Sequence, residues 1–170
     1  TRDDAELVLS GPAETGKTIA LLYKLNKLAW QYPGAQLVIA RKRHVDLQPS
    51  VLQSFEKKIL GARREQGELV GTPVRCYGGE KAEFYDYPNG ARVWTAGLDN
   101  PGKALSSERD FIYVNQAEEL TLDDWEVLGT RTTGRSGVIP KPQLLGDSNP
   151  SGQNHWIVTR AREGKLTRLK

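Results

Sequence analysis

Short apolar runs alternate with amphipathic segments along the 170-residue chain. Four nearly continuous apolar runs are typical of strands that a parallel sheet buries on both faces: residues 5–10, 36–41, 110–114 and 143–146. Three segments carry apolar side chains at helical spacing: residues 19–30, 45–60 and 121–128. Thr121 is the expected N-cap of the third, with Asp124 at the capping-box position.

Shorter strands are predicted in the middle of the chain. Residues 73–78 and 82–87 are such strands, and a Pro-Asn-Gly turn lets residues 91–96 pair back as a hairpin arm. Polar residues 61–71 are predicted to be loop, and the last fifteen residues a strand or short helix followed by a strand. The alternation predicts an α/β fold in which helices flank a mainly parallel sheet, with the inserted hairpin making the sheet mixed.

Composition restricts the class of protein only moderately. Apolar residues make up 38% and charged residues 26% of the chain, which is typical of one globular domain over residues 1–170. No apolar run approaches the roughly 18 residues of a membrane span, and no signal peptide is recognisable. The single cysteine, Cys76, excludes an internal disulfide. A net charge of +3 permits a polyanionic partner without requiring one.

The most specific motif follows the first apolar run and matches G-x-x-x-x-G-K-[ST]. It consists of Gly11, Pro12, Ala13, Glu14, Thr15, Gly16, Lys17 and Thr18. A strand, a glycine loop and a helix N-terminus together form a cradle for phosphate. Lys17 is expected to reach the β- and γ-phosphates, and the Thr18 hydroxyl to ligate Mg²⁺. The sequence therefore predicts a Walker A site for ATP with Mg²⁺.

A P-loop hydrolase needs acidic residues at the end of a second hydrophobic strand, to organise Mg²⁺ and to activate water. The strand at 110–114 is followed instead by the amides Asn115 and Gln116, and the acids Glu118 and Glu119 come slightly later. Two interpretations stay open. Either Glu118 or Glu119 has taken over the catalytic role, or the amides make a weak hydrolase, since they can hold Mg²⁺-bound water but cannot accept its proton.

A third polar cluster follows the strand at 143–146. Asp147, Ser148 and Asn149 stand before a proline, where P-loop ATPases of the additional-strand type carry residues that sense the γ-phosphate. Alone, the cluster is typical of an ordinary Asx turn. Together with the P-loop it favours a sensor that contacts Mg²⁺ or phosphate-bound water.

These motifs, in this order and spacing, resemble the large subunit of tailed-phage terminases over nearly the whole chain. The most discriminating part is Gly146-Asp147-Ser148-Asn149-Pro150 followed by His155-Trp156. The resemblance implies a P-loop NTPase of the additional-strand (ASCE, RecA-like) type, the ATPase motor that drives viral DNA into a procapsid. It places Asn115 and Gln116 at the Walker B positions and Ser148-Asn149 in the coupling motif. It also implies a nuclease domain and an adenine-contacting segment that residues 1–170 are not expected to contain.

The resemblance further implies partners and a place in the cell. They are double-stranded viral DNA, the portal protein, the small terminase subunit and a homo-oligomeric ring on the procapsid. The expected location is the host cytoplasm during assembly, outside the mature virion and without a membrane.

Many terminases place an arginine inside the P-loop, and this chain does not. We therefore expect the arginine finger to come from elsewhere, supplied by a neighbouring subunit. The first choice is Arg109, just before the strand at 110–114, and the other candidates are Arg131 and Arg135. Basic residues at 41–43 are expected near the nucleotide, and those at 57–58 and 63–64 are either a DNA-backbone patch or a solvated helix end.

Two rival classes of function remain at this stage. One is another P-loop DNA-dependent ATPase, similar to helicases or recombinases. The other is a nucleotide-binding regulatory module that does not hydrolyse, which the Asn115-Gln116 pair favours.

Overall fold

A computed structural model describes residues 5–13, 15–134, 138–150 and 152–170. Ten strands are present in this part of the chain, and eight of them form one sheet. The eight are β1 (Glu6–Ser10), β2 (Gln36–Arg41), β5 (Arg75–Tyr77), β6 (Phe84–Asp86), β7 (Arg92–Gly97), β8 (Phe111–Val114), β9 (Gln143–Ser148) and β10 (Thr167–Leu169). The short strands β3 (Arg63–Glu65) and β4 (Glu68–Val70) form a separate pair.

The large sheet has the strand order β10-β1-β9-β8-β2-β7-β6-β5. The first six strands in this order run parallel, and β6 and β5 are antiparallel additions at one edge. Strand β9 lies between β1, which leads into the P-loop, and β8, which leads into the Asn-Gln pair. An extra strand at this place is the feature of additional-strand P-loop folds, so the predicted fold class is confirmed.

Helices cover both faces of the sheet. Helix α1 (Lys17–Gln31) packs with the segment at 44–59 on one face, where Leu22, Leu25 and Phe55 are fully buried. Helices α2 (Leu122–Arg131) and α3 (Trp156–Arg162) pack on the other face. The capping box of α2 is confirmed, because Thr121 and Asp124 exchange both side-chain-to-backbone hydrogen bonds.

The helix predicted over residues 45–60 is not a regular α-helix. It consists of a 3₁₀ turn at His44–Asp46 and two π-helical turns at Gln48–Leu52 and Phe55–Ile59. The backbone N–H of Leu60, for example, bonds the carbonyl five residues earlier at 2.9 Å. The predicted apolar spacing still holds, since Leu47, Val51 and Phe55 are buried. Periodicity identified the buried face but not the wider turns, which recur at functional sites.

The loop predicted over residues 61–71 was wrong in part, because β3 and β4 form an antiparallel hairpin there. Gln66 and Gly67 connect the strands with φ angles of 51° and 82°. Two consecutive positive φ angles make the tight turn that hairpins favour. Glutamine is not a usual residue for the first of these positions, so the sequence carried only half of the turn signal.

The second hairpin and the end of the chain follow the predictions. β6 pairs antiparallel with β7 across the turn at 88–90, and β7 also continues the parallel sheet through its pairing with β2. The last fifteen residues form α3 and then β10. Among the described residues, no helix combines the length and apolar character needed to cross a membrane.

Candidate nucleotide-binding site

The P-loop turns at the carboxyl end of β1 and feeds directly into α1. Gly16 is the N-cap of α1 and has a φ of 80°, a left-handed conformation that glycine adopts without steric cost. The N–H of Gly11 bonds the carbonyl of Ser148 at 3.1 Å, which ties the start of the loop to the end of β9. The first turn of α1 therefore presents free backbone N–H groups at the edge of the sheet where α/β folds bind their ligands.

The Lys17 ammonium folds back onto its own loop. It donates to the carbonyls of Gly11 and Pro12 at 2.7 and 2.5 Å and to the Thr15 hydroxyl at 3.1 Å. Thr15 in turn donates to the Pro12 carbonyl at 2.9 Å. The described part of the loop thus surrounds its cation with neutral oxygens at the position where phosphates would bind. Glu14, also predicted to belong to this loop, lies outside the described residues.

A cavity of about 670 Å³ opens in front of the P-loop. Its walls are the P-loop with the start of α1, the π-helical segment, and the ends of β8 and β9. Among the described residues that line it, Asp147 is the only acidic residue, and Lys17 and Lys58 are the only basic ones. The volume falls within the range of small-molecule sites. The predicted residues Asn115, Gln116, Ser148 and Asn149 also line this cavity.

Asp147 is the centre of a buried hydrogen-bond network at the bottom of the cavity. Its side chain is only 3% exposed. The Thr18 hydroxyl donates to Oδ2 at 2.8 Å, and the backbone N–H of Gln116 donates to Oδ1 at 2.6 Å. The Tyr113 hydroxyl also donates to Oδ2, and the Asn115 amide lies 3.3 and 3.4 Å from the two oxygens. The network joins the P-loop helix to β8 and β9.

Tyr113 is the residue of this network that the sequence did not indicate, since it looked like one more apolar position of β8. Its side chain is fully buried. Burial, and then the adjacent Asp147 carboxylate, raise the pKa of the Tyr113 hydroxyl well above its usual value. The hydroxyl therefore stays protonated and acts as a donor to Asp147.

Gln116 is held in a left-handed conformation with a φ of 52°, which is uncommon outside glycine. Its backbone N–H is fixed by Asp147, and its side-chain oxygen accepts from the Arg41 guanidinium at 2.9 Å. Arg41, at the end of β2, also contacts Glu119 at 3.0 Å and Ser50 at 3.1 Å. Strained backbone of this kind concentrates at functional sites. Arg41 thus connects the end of β8 to the π-helical wall of the cavity.

The two predicted acids, Glu118 and Glu119, lie on a 3₁₀ turn beyond the cavity and do not line it. Glu119 is occupied by its ion pair with Arg41. Glu118 has a buried carboxylate oxygen, Oε2, without a hydrogen-bond partner among the described residues. His155 and Trp156, at the start of α3, hold this turn through its carbonyl groups. The imidazole Nε2 of His155 is 3.1 Å from the Glu118 carbonyl, and the indole N–H of Trp156 donates to the Leu120 carbonyl at 2.7 Å.

Arg109 is not placed as an arginine finger. Its side chain is 5% exposed, donates to the carbonyls of Lys103 and Ala104 at 2.9 and 2.8 Å, and lies 5.2 Å from the Trp94 ring centre. Arg109 precedes β8 and so lies at the amino ends of the parallel strands, whereas the P-loop lies at their carboxyl ends. Burial lowers the pKa of the Arg109 guanidinium. Arg131 ends α2 at the same edge, where its carbonyl bonds the Arg109 N–H at 2.7 Å. Arg135 lies outside the described residues.

The predicted coupling residues take two different positions. Ser148 is buried, and its hydroxyl donates to the Asn149 carbonyl at 2.8 Å. Asn149 is partly exposed and lines the cavity. Across from them, Lys58 lines the cavity from the π-helical segment, although the sequence suggested only a solvated helix end or a DNA contact.

The extra strand beside β1, the glycine loop at its carboxyl end and the buried polar network behind that loop define the fold of P-loop NTPases of the additional-strand type. No protein-family model matches the sequence, and no curated protein sequence matches it significantly. Several solved structures do match the fold.

The large terminase of the thermophilic bacteriophage D6E is 16% identical, with a TM-score of 0.68; the match covers 98% of this chain and 40% of the terminase. The same terminase in complex with ADP is 17% identical, with a TM-score of 0.65 over the same shares. The ATPase domain of the Thermus phage P74-26 large terminase is 16% identical, with a TM-score of 0.56 over 89% of this chain and 62% of that domain.

This chain thus has the fold of the ATPase domain of phage large terminases, which confirms at the level of the fold the resemblance drawn from the motifs. It spans about two fifths of the length of the D6E terminase.

Proposed function

We propose that this chain is an ATP-hydrolysing motor domain that powers the movement of double-stranded viral DNA into a procapsid. The observation that carries the proposal is the P-loop cavity, in which Lys17 and Thr18 face a buried carboxylate and the ends of two central strands. The terminase-like fold supports the kind of motor, and the ADP complex of the D6E terminase supports the nucleotide.

The residues of the cavity have different roles in phosphate binding. Lys17 exchanges the loop carbonyls for the β- and γ-phosphate oxygens, which are stronger acceptors because they are charged. The N–H groups at the start of α1 surround the β-phosphate. Thr18 would hold Mg²⁺, which neutralises charge on the phosphates when bound. Ser148 and Asn149, next to the P-loop, respond to the γ-phosphate.

Residues of the turn after β8 would orient and activate the attacking water molecule. Gln116 lines the cavity and can orient a water molecule, but an amide accepts no proton. Glu118 and Glu119 are the nearest acids along the chain, and the buried Oε2 of Glu118 has no hydrogen-bond partner in the described part of the chain. We propose that one of the two acts as the base once nucleotide binds. Because Arg109 is buried, an arginine in trans must come from another position of a neighbouring subunit.

The proposed partners follow from the same function. They are double-stranded DNA, a portal protein, a small terminase subunit and further copies of this chain in a ring. The net charge of +3 is compatible with DNA but does not single it out.

Steady-state ATP hydrolysis with and without double-stranded DNA tests the proposal. We expect Mg²⁺-dependent turnover that DNA stimulates and that Lys17→Ala abolishes. Glu118→Gln and Glu119→Gln, measured side by side, identify the base as the residue whose loss lowers turnover about 100-fold or more while nucleotide affinity is retained. A wild-type rate no higher than that of Lys17→Ala would contradict hydrolysis.

One observation favours a second candidate, a nucleotide-binding module without hydrolysis. The cavity presents Gln116 where a carboxylate would activate water, and Glu119 is engaged by Arg41. In that case nucleotide binds with normal Lys17 dependence, and neither Glu118→Gln nor Glu119→Gln changes the residual rate. Binding and turnover measured on the same variants separate the two candidates.

A further inference from the structure

The ends of the neighbouring strands β8 and β9 carry one amide and one carboxylate in contact with each other. Asn115 follows β8 and is 5% exposed, and Asp147 lies in β9 and is 3% exposed. The Asn115 amide nitrogen is 3.3 Å from Asp147 Oδ2. P-loop NTPases use a carboxylate after the strand equivalent to β8 to organise the metal. Here that place holds a neutral side chain, which supplies no charge.

Among the described residues, every hydrogen bond to the Asp147 carboxylate comes from a donor that carries no formal charge. The donors are the hydroxyls of Thr18 and Tyr113, the backbone N–H of Gln116 and the amide of Asn115. In the part of the chain that the structure describes, no lysine or arginine forms an ion pair with Asp147. A buried carboxylate without a countercharge is energetically costly. A cation bound in the adjacent cavity would remove this cost.

Thr18 is the residue that connects this carboxylate to a metal. Its hydroxyl donates its one hydrogen to Asp147 Oδ2 at 2.8 Å, which leaves the oxygen lone pairs for a cation. Mg²⁺ typically binds one or two protein oxygen ligands, the substrate phosphates and several water molecules. Thr18, Asp147 and the phosphates of a nucleotide on the P-loop form such a set, directly or through bound water.

We propose that Asp147 and Asn115 have exchanged places: the carboxylate that organises Mg²⁺ in this nucleotide site lies on β9, and the neutral amide lies after β8. The proposal rests on the nucleotide site of the proposed function. It assigns Asp147 to the metal rather than to γ-phosphate sensing, and it accounts for the absence of an acid at position 115.

A purely structural role for Asp147 is the alternative, because the side chain also fixes the Gln116 N–H. The two roles differ in one measurable respect. A structural anchor matters equally with and without metal, whereas a metal-organising carboxylate matters only when Mg²⁺ is present. Exchanging the two side chains keeps one amide and one carboxylate in the network and moves only the charge.

The test measures the affinity for a fluorescent ATP analogue with Mg²⁺ and with a chelator, together with the fold monitored by circular dichroism. For the wild type we expect Mg²⁺ to tighten binding. Asp147→Asn should bind as the wild type does in chelator but lose about 10-fold or more of the tightening by Mg²⁺. The double variant Asn115→Asp/Asp147→Asn should recover that tightening to within about 3-fold. Asp123→Asn, an exposed position of α2 that does not line the cavity, is the matched control and should keep the tightening.

The outcomes separate this proposal from the proposed function. If the wild type binds no nucleotide, the nucleotide site itself is wrong and the exchange falls with it. If the wild type responds to Mg²⁺ and Asp147→Asn responds equally, the exchange alone is overturned. Where Asp147→Asn does not fold, the double variant decides: a folded double variant that responds to Mg²⁺ supports the exchange, and a folded one that does not respond overturns it.

Discussion

The bidentate ion pair between Glu6 and Arg160 links the P-loop strand β1 to helix α3, and its removal should destabilise the domain measurably. Arg160 Nε and Nη2 donate to the two Glu6 oxygens at 2.7 Å each, and the Trp125 indole N–H donates at 2.9 Å. The side chains are 19% and 14% exposed. We chose the substitution Glu6→Gln because it preserves the shape and removes the charge.

The expected size of the effect follows from this geometry. Breaking one side of a well-buried pair costs about 3–5 kcal/mol, and hydrogen bonds to charged groups contribute about 1.5–3 kcal/mol. Because the pair is partly exposed and glutamine still accepts one bond, we expect a loss of about 2 kcal/mol in the free energy of unfolding. In a chain of this size that corresponds to a Tm lower by about 4–8 °C. Glu126, 3.3 Å from Arg160 and 52% exposed, provides the matched control, and Glu126→Gln should cost less than about 0.5 kcal/mol.

The effect should also depend on pH. Burial raises the pKa of Glu6, but the hydrogen bonds from Arg160 and Trp125 outweigh it, so the pKa lies below its usual value of 4.5. A lowered pKa in the folded state contributes stability that is present above the usual value and is lost as the pH falls through the folded value. In urea unfolding followed by tryptophan fluorescence, the gap between wild type and Glu6→Gln should be constant near neutral pH and shrink below 4.5. A gap that is absent at pH 7, or unchanged in acid, refutes the reasoning.

Three further predictions concern the cavity. Lys58→Ala should weaken ATP binding about 2–5-fold and ADP binding less, because an exposed cation on the wall contributes about 0.5–1 kcal/mol. Lys57→Ala, outside the cavity, is the control, and equal effects of the two substitutions would exclude a direct role of Lys58. Arg41→Lys keeps the charge but loses the fork that holds Gln116, so turnover should fall about 10-fold with nucleotide affinity within about 3-fold; an unchanged rate would contradict this. In Gly16→Ala the added methyl group contacts no atom within 4 Å, but alanine is strained at a φ of 80°. The increase in Tm that ATP induces should therefore be smaller than in the wild type, and an unaltered increase would show that the loop tolerates a side chain.

The sequence was sufficient for the parts of the molecule that depend on local patterns. The P-loop motif, the helix that follows it and the capping box at Thr121 are set by residues close together in the chain, and all three are found where predicted. The order of the strands in the sheet could not be predicted from any local pattern of the sequence. Only the insertion of β9 between β1 and β8 brings Thr18 and Asp147, 129 residues apart, into contact.

Two residues illustrate why the rest of the site was harder to predict. Arginine before a strand is usually solvated, so nothing in the sequence indicated that Arg109 would be buried against carbonyls and Trp94. Lys58 looked like the end of a regular helix, whereas it lies in a π-helical turn and lines the cavity. Both outcomes depend on packing between distant segments.

The self-bonded Lys17 has a consequence for which ligands the P-loop accepts. Among the described residues, the ammonium has three oxygen partners without a ligand, and all three are neutral. A ligand that offers another neutral oxygen to Lys17 gains little binding free energy, because it would only replace hydrogen bonds of equal strength. Oxygens that carry charge in a chain of phosphates offer more, since charge-assisted bonds are about twice as strong. We therefore expect the P-loop to bind polyanions in preference to neutral ligands.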